Sequence, residues 1–90
     1  MVRYFGRATG RVQGVGFRFF VQKNGEELGL TGWVRNMSDG SVTMEMQGEQ
    51  EKVEELTRRI QAGNFFIKVK SLSLDTMEPV PGEEGFSIRY

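Results

Sequence analysis

Residues 10–21 read Gly10-Arg11-Val12-Gln13-Gly14-Val15-Gly16-Phe17-Arg18-Phe19-Phe20-Val21, and the hydrophobic period changes in the middle of them. Before the glycines the repeat is two. Val2, Tyr4, Ala8 and Val12 share one face of an extended segment, with Arg3, Arg7 and Arg11 on the other and Phe5 intruding among the arginines. After the glycines the repeat is helical. Phe17, Phe20, Val21 and Leu28 fall on one stripe at offsets of 0, 3, 4 and 11, which closes before Gly29. The stretch therefore predicts a strand over 2–12, a tight glycine loop and a helix from Phe17. Asn24-Gly25 interrupts the stripe, and the glycine alone is expected to weaken the helix by up to about 1 kcal/mol.

Working outward, Trp33 and Val34 open a second strand that runs to about Met37, and Ser38-Asp39-Gly40 supplies a hairpin turn. Val42, Met44 and Met46 alternate with Thr43, Glu45 and Gln47 in a half-buried third strand. Glu49 and Glu51 then lead into Val53, Leu56 and Ile60, with Arg58 and Arg59 near the end and Gly63 beyond. Acid first, base last and glycine at the stop mark a second helix. Ile67 and Val69, then Leu72 and Leu74, make a fourth strand whose inward register slips midway, so a bulge is expected. Phe86, Ile88 and Tyr90 alternate as a short last strand after a Pro79–Gly85 loop. This order predicts an α+β fold, the ferredoxin-like α/β sandwich: βαββαβ plus a short extra strand, an antiparallel sheet with two helices on one face. The first and third strands are central and the second pairs with the third. Residues 1–90 are expected to form a single domain.

Composition narrows the chemistry. The 90 residues carry 12 Lys plus Arg against 12 Asp plus Glu, with no His and no Cys. Zero net charge argues against a general nucleic-acid coat. Without Cys there is no disulfide or thiolate chemistry, and without His the commonest metal ligand and general base are missing. No apolar run approaches the ~20 residues of a membrane span, and Met1 to Phe5 lack a signal-peptide core, so a soluble cytoplasmic chain is expected. Charge is unevenly placed. Residues 1–36 carry six basic and two acidic side chains, a net of +4, and the remainder carries −4. A positive field at the N-terminal end suits a small anion, while arginines solvated on a strand face are the more frequent explanation. Trp33 and the Phe17/Phe20 pair read as core, as do Met44 and Met46. Asp39 and Glu45 have no partner ligands in reach for a metal site.

The glycine loop carries the strongest chemical signal. Gly14 and Gly16, between a strand and a helix, let successive N–H groups converge on one point at the positive end of the helix, a nest for an anion. Tight strand–helix packing is the other explanation of the same glycines. Arg18 favours the first, because a cation in the first helical turn opposes the dipole, and its planar fork suits phosphoryl oxygens. Asn36 ends the second strand just before a turn that Asp39-Gly40 already specifies. Its amide either caps the hairpin or, facing the loop from a strand paired with the third, holds a water.

Gly10 to Phe20, GRVQGVGFRFF, and Gly32 to Val42, GWVRNMSDGSV, resemble the two signature segments of acylphosphatases, in that family's order and separation. Gln47-Gly48 and the closing Phe86-Ser87-Ile88-Arg89-Tyr90 fit as well, so the resemblance spans essentially the whole chain. It implies a ferredoxin-like enzyme that hydrolyses carboxyl–phosphate anhydrides with no metal and no cofactor. The family's catalytic arginine and asparagine match Arg18 and Asn36, and its phosphate loop matches Gln13 to Arg18, with Gly14, Val15, Gly16, Phe17 and Arg18 binding substrate. Acyl phosphate is then the substrate, and inorganic phosphate the product and competing ligand. A monomer with no nucleic-acid or membrane partner is expected. Acetyl, carbamoyl and glyceroyl phosphates all remain open. The chain departs from the pattern at Asn24-Gly25 and at Gly63-Asn64-Phe65-Phe66, which lacks the usual proline; both concern stability and local dynamics.

Under this resemblance, direct attack by a water is simpler than a covalent phospho-enzyme in a chain with no His or Cys. Two other readings compete. One is an accessory, non-catalytic acylphosphatase-like domain that binds anions. The other is an RNA-binding module on the same fold, since Gly14 to Phe20 faintly echoes the aromatic RNP1 motif. That echo has Val15 where a stacking aromatic belongs, and the third strand, Ser41 to Gln47, has no aromatic. A free-standing chain of 90 residues that keeps both Arg18 and Asn36 argues against the accessory domain.

Overall fold

A computed structural model describes residues Met1–Tyr90. The chain runs β1 (Val2–Arg11), α1 (Phe17–Glu27), β2 (Thr31–Asn36), β3 (Val42–Gly48), α2 (Gln50–Ala62), β4 (Lys68–Met77) and β5 (Phe86–Arg89). The strands form one sheet in the order β4-β1-β3-β2-β5. β1 and β3 are interior and β2 lies beside β3, as the element order predicts. The β1–β4, β1–β3 and β2–β3 pairings are antiparallel. The slip in β4 is real: Thr9 faces Ser71 while Gly10 faces Val69, which leaves Lys70 as the extra residue of a bulge.

The sheet is mixed rather than antiparallel throughout, because β5 runs parallel to β2, from Gly32 opposite Phe86 to Arg35 opposite Arg89. The cause is where β4 stops. Met77 lies opposite Arg3 at the end of the sheet where β2 begins, and the following loop crosses to β5 without changing ends. No helix is long and apolar enough to cross a membrane.

Both helices pack on one face of the sheet, over a core that includes Ala8, Val34, Met44 and Met46 from the strands, Phe17 and Val21 from α1, and Leu56 and Ile60 from α2. Asn24-Gly25, expected to weaken α1, lies within an unbroken helix and has a tertiary reason. A Cβ on Gly25 would come within 2.7 Å of the Phe86 ring, so the glycine lets β5 approach the helix. Asn24 donates to the Phe20 carbonyl at 2.8 Å and accepts from Arg59 of α2 at 2.9 Å, joining the helices. In the turn after α2, Asn64 substitutes for the missing proline: its side-chain oxygen accepts from the N–H groups of Phe66 (2.8 Å) and Ile67 (2.7 Å).

The opposite face of the sheet differs from expectation. Arg3 is 3% exposed and not a solvated strand arginine. It donates to Glu45 at 2.8 Å, to Gln47 at 3.1 Å and, through two nitrogens, to Glu83 at 2.7 and 3.1 Å. Gln47 in turn exchanges two hydrogen bonds with the Val80 backbone, which holds the 78–85 loop over this face. Trp33 is not part of the core either. It lies on this second face, edge-on to Phe5 at 6.5 Å and beneath the Arg89 guanidinium at 4.6 Å. The strand alternation sends it there, since neighbouring Gly32 and Val34 take the buried side.

Candidate active site

At the end of β1 the chain turns through Val12 to Gly16 and enters α1. Gly14 and Gly16 take left-handed backbone conformations, φ 73° and 77°, which side chains other than glycine rarely adopt. A Cβ at either position would meet nothing within 4 Å, so close strand–helix packing does not require these glycines. Backbone conformation does. The turn presents the start of α1 with no side-chain cap, and its first loop-to-helix hydrogen bond runs from the Phe20 N–H to the Gly16 carbonyl. The N–H groups of Gly16 to Phe19 therefore have no acceptor within the helix. No acidic side chain occupies the first turn to neutralise them.

Gln13 fixes this loop to the β2–β3 hairpin. Its amide nitrogen donates to the carbonyls of Met37 at 2.8 Å and Ser41 at 2.9 Å. The hairpin is itself tied by Asp39, which accepts from the Ser41 hydroxyl at 2.6 Å and backbone N–H at 2.9 Å, and from Arg7 at 2.9 Å. The Ser41 contacts first, and Arg7 after them, hold the Asp39 carboxyl well below the usual carboxylate range. Asp39 is thus committed to the turn.

One cavity of about 250 Å³ opens at this end of the sheet. Gly14, Gly16, Phe17, Arg18 and Asn36 line it, so the two signature segments meet there. Arg18 makes no ion pair, in contrast to Arg3, Arg7, Arg58 and Arg59. Its guanidinium carbon stands 4.7 Å from the centroid of the Tyr90 ring. The side-chain oxygen of Asn36 is buried and has no hydrogen-bond partner in the protein. A buried amide oxygen left unpaired costs about 1–3 kcal/mol. No three carboxylates lie close enough to hold a metal ion.

The expected site residues are not all placed alike. Val15 is absent from the cavity wall, and its side chain packs against the core. Phe17 belongs to the core by its side chain and to the helix start by its backbone. Four wall residues have no signal in the sequence reading as site residues: Val12, Phe19, Ile88 and Tyr90. Val12 reads as core, which it also is, and Phe19 lies outside the α1 stripe. Ile88 and Tyr90 reach the cavity only because β5 lies parallel to β2. Gln13 was legible as part of the loop, though its span to the hairpin was not.

The Acylphosphatase family model matches residues 4–88. A chain described as an acylphosphatase from Clostridium beijerinckii is 43% identical over 90 residues, all of both chains. The crystal structure of acylphosphatase from Bacillus subtilis superposes with a TM-score of 0.94 at 37% identity, also covering all of both chains. A crystal structure of full-length HypF in the phosphate- and nucleotide-bound form is similar with a TM-score of 0.89 at 29% identity, across 99% of this chain and 12% of that one.

Proposed function

The chain belongs to the acylphosphatase family, and on that premise we propose that it hydrolyses acyl phosphates to a carboxylate and inorganic phosphate by direct attack of water. One juxtaposition carries the reading. An arginine with no carboxylate partner and an asparagine whose buried amide oxygen has no donor line a single cavity at an uncapped helix start.

Each group has a distinct task. The N–H groups at the start of α1 and the Arg18 fork hold the phosphoryl oxygens, where their charges stabilise the anion without rearranging during reaction. The Asn36 oxygen accepts one hydrogen of a water and turns a lone pair of its oxygen toward phosphorus, in line with the leaving carboxylate. A bond forms between that oxygen and phosphorus as the bond to the carboxylate oxygen breaks. The water's proton passes to a phosphoryl oxygen of the substrate. A carboxylate leaves without protonation, so no general acid is called for. In an alkyl phosphate monoester an alkoxide must leave, and the cavity wall offers no carboxylic acid to help it.

Phosphate release from acetyl phosphate in the presence of EDTA tests this reading. Turnover undiminished by the chelator, with little release from monoesters, is the expected result. Activity lost to EDTA and restored by a divalent ion would overturn the direct-water mechanism. An accessory anion-binding domain would bind phosphate and release none from acetyl phosphate.

A further inference from the structure

We infer that Tyr90 is a positioning residue for Arg18: its ring holds the face of the guanidinium and leaves the in-plane donors free for the phosphoryl group. The inference rests on Arg18 being the phosphoryl ligand. Stacking and hydrogen bonding use different parts of a guanidinium. The ring attracts the flat face of the cation, while the N–H bonds lie in its plane. A carboxylate would hold Arg18 as firmly, but it would occupy those N–H groups, as Glu45 and Glu83 occupy those of Arg3. At the positive end of α1, with no acid in the first turn, an unheld guanidinium would be pushed into solvent.

The sheet delivers the ring to this place. Arg35 lies opposite Arg89 in the parallel β2–β5 pair, so Asn36 and Tyr90 are the next residues of adjacent segments and reach the same end of the sheet. Both line the cavity with Arg18. Tyr90 is 90% exposed, so its ring contributes little to the core, and it meets the Arg18 guanidinium.

The test compares Tyr90→Leu and Tyr90→Phe, each in the unaltered chain and in an Arg18→Ala background. Inorganic phosphate titrations, acetyl phosphate kinetics and thermal melting are measured on the same samples. Tyr90→Leu should raise the phosphate Kd and the KM together, about two- to fivefold, with kcat and melting temperature unchanged. Tyr90→Phe keeps the ring and should bind phosphate as the parent does. In the Arg18→Ala background Tyr90→Leu should change nothing further. An unaltered Kd in Tyr90→Leu overturns the positioning role, as does an equal weakening in the Arg18→Ala background or a Tyr90→Phe as impaired as the leucine variant. If Arg18→Ala itself binds phosphate normally, the proposed function fails and this inference falls with it.

Discussion

Arg3 and Arg18 stand at opposite ends of the region spanned by β1, and they are held in opposite ways. At the start of the strand, Arg3 is buried and donates to Glu45, Gln47 and Glu83, which consumes the guanidinium. Past the end of the strand, Arg18 meets the Tyr90 ring and shares a cavity wall with Asn36, whose amide oxygen is unpaired. An arginine whose donors are all taken by the protein joins parts of the fold, here β1, β3 and the 78–85 loop. One that meets a ring instead of carboxylates keeps its donors for something that arrives from solution. The contrast predicts that damage at one end appears as lost turnover and damage at the other as lost stability.

The largest expected effect is at Arg18. Arg18→Ala should reduce turnover on acetyl phosphate by about 10²–10⁵ and weaken phosphate binding, with the melting temperature preserved. A folded, fully active Arg18→Ala protein would place the chemistry elsewhere. Arg3→Ala should do the reverse. Removing one member of a buried charge cluster strands Glu45 and Glu83 and should cost about 3–5 kcal/mol in denaturant unfolding, while the folded fraction keeps its turnover. Loss of activity without loss of stability there would break the comparison.

Asn36→Ala sharpens it further. If the amide only places water, turnover should fall by about 10² while phosphate affinity stays near that of the parent. Were Asn36 merely a hairpin cap, melting temperature would fall and activity in the folded fraction would persist. Equal loss of phosphate affinity in Asn36→Ala and Arg18→Ala would refute the division between them.

The smallest effect is in acid. The hydrogen bond from Arg3 leads the causes that lower the Glu83 pKa in the folded chain below its ordinary value of 4.5. A depressed folded pKa stabilises fully above the unfolded value, and the gain is lost as pH falls below about 4.5 through the folded value. Glu83→Gln should therefore unfold with a shallower dependence on pH below 4.5, read from denaturation midpoints across that range. An unchanged slope would show that the Arg3 contact to Glu83 contributes nothing to acid stability.

A second pair of sites shows why local reading goes only part of the way. Gly14 and Gly16 were legible because two glycines between a change of period can only be a tight loop, and their left-handed backbone is a property of those residues themselves. Gly25 looked like a defect in a helix. Its purpose depends on Phe86, a residue 61 positions away in sequence, pressing where a Cβ would stand. The same limit explains Trp33. An aromatic on a strand reads as core until the pleat assigns it a side, and here Gly32 and Val34 had already taken the inner one.

What the amino-acid order determined by itself was the set of elements, the two interior strands and the bulge in β4. Periodicity, turn residues and the adjacency of consecutive strands are local or nearly local properties. Only the tertiary structure decided that β5 enters parallel to β2, that the 78–85 loop brings Glu83 to Arg3, and that Tyr90 meets Arg18. These depend on the end of the sheet at which a strand stops and on which partners reach a guanidinium first. A cation with its donors used and one with its donors free are the same letter in the sequence, and long-range packing alone makes them different.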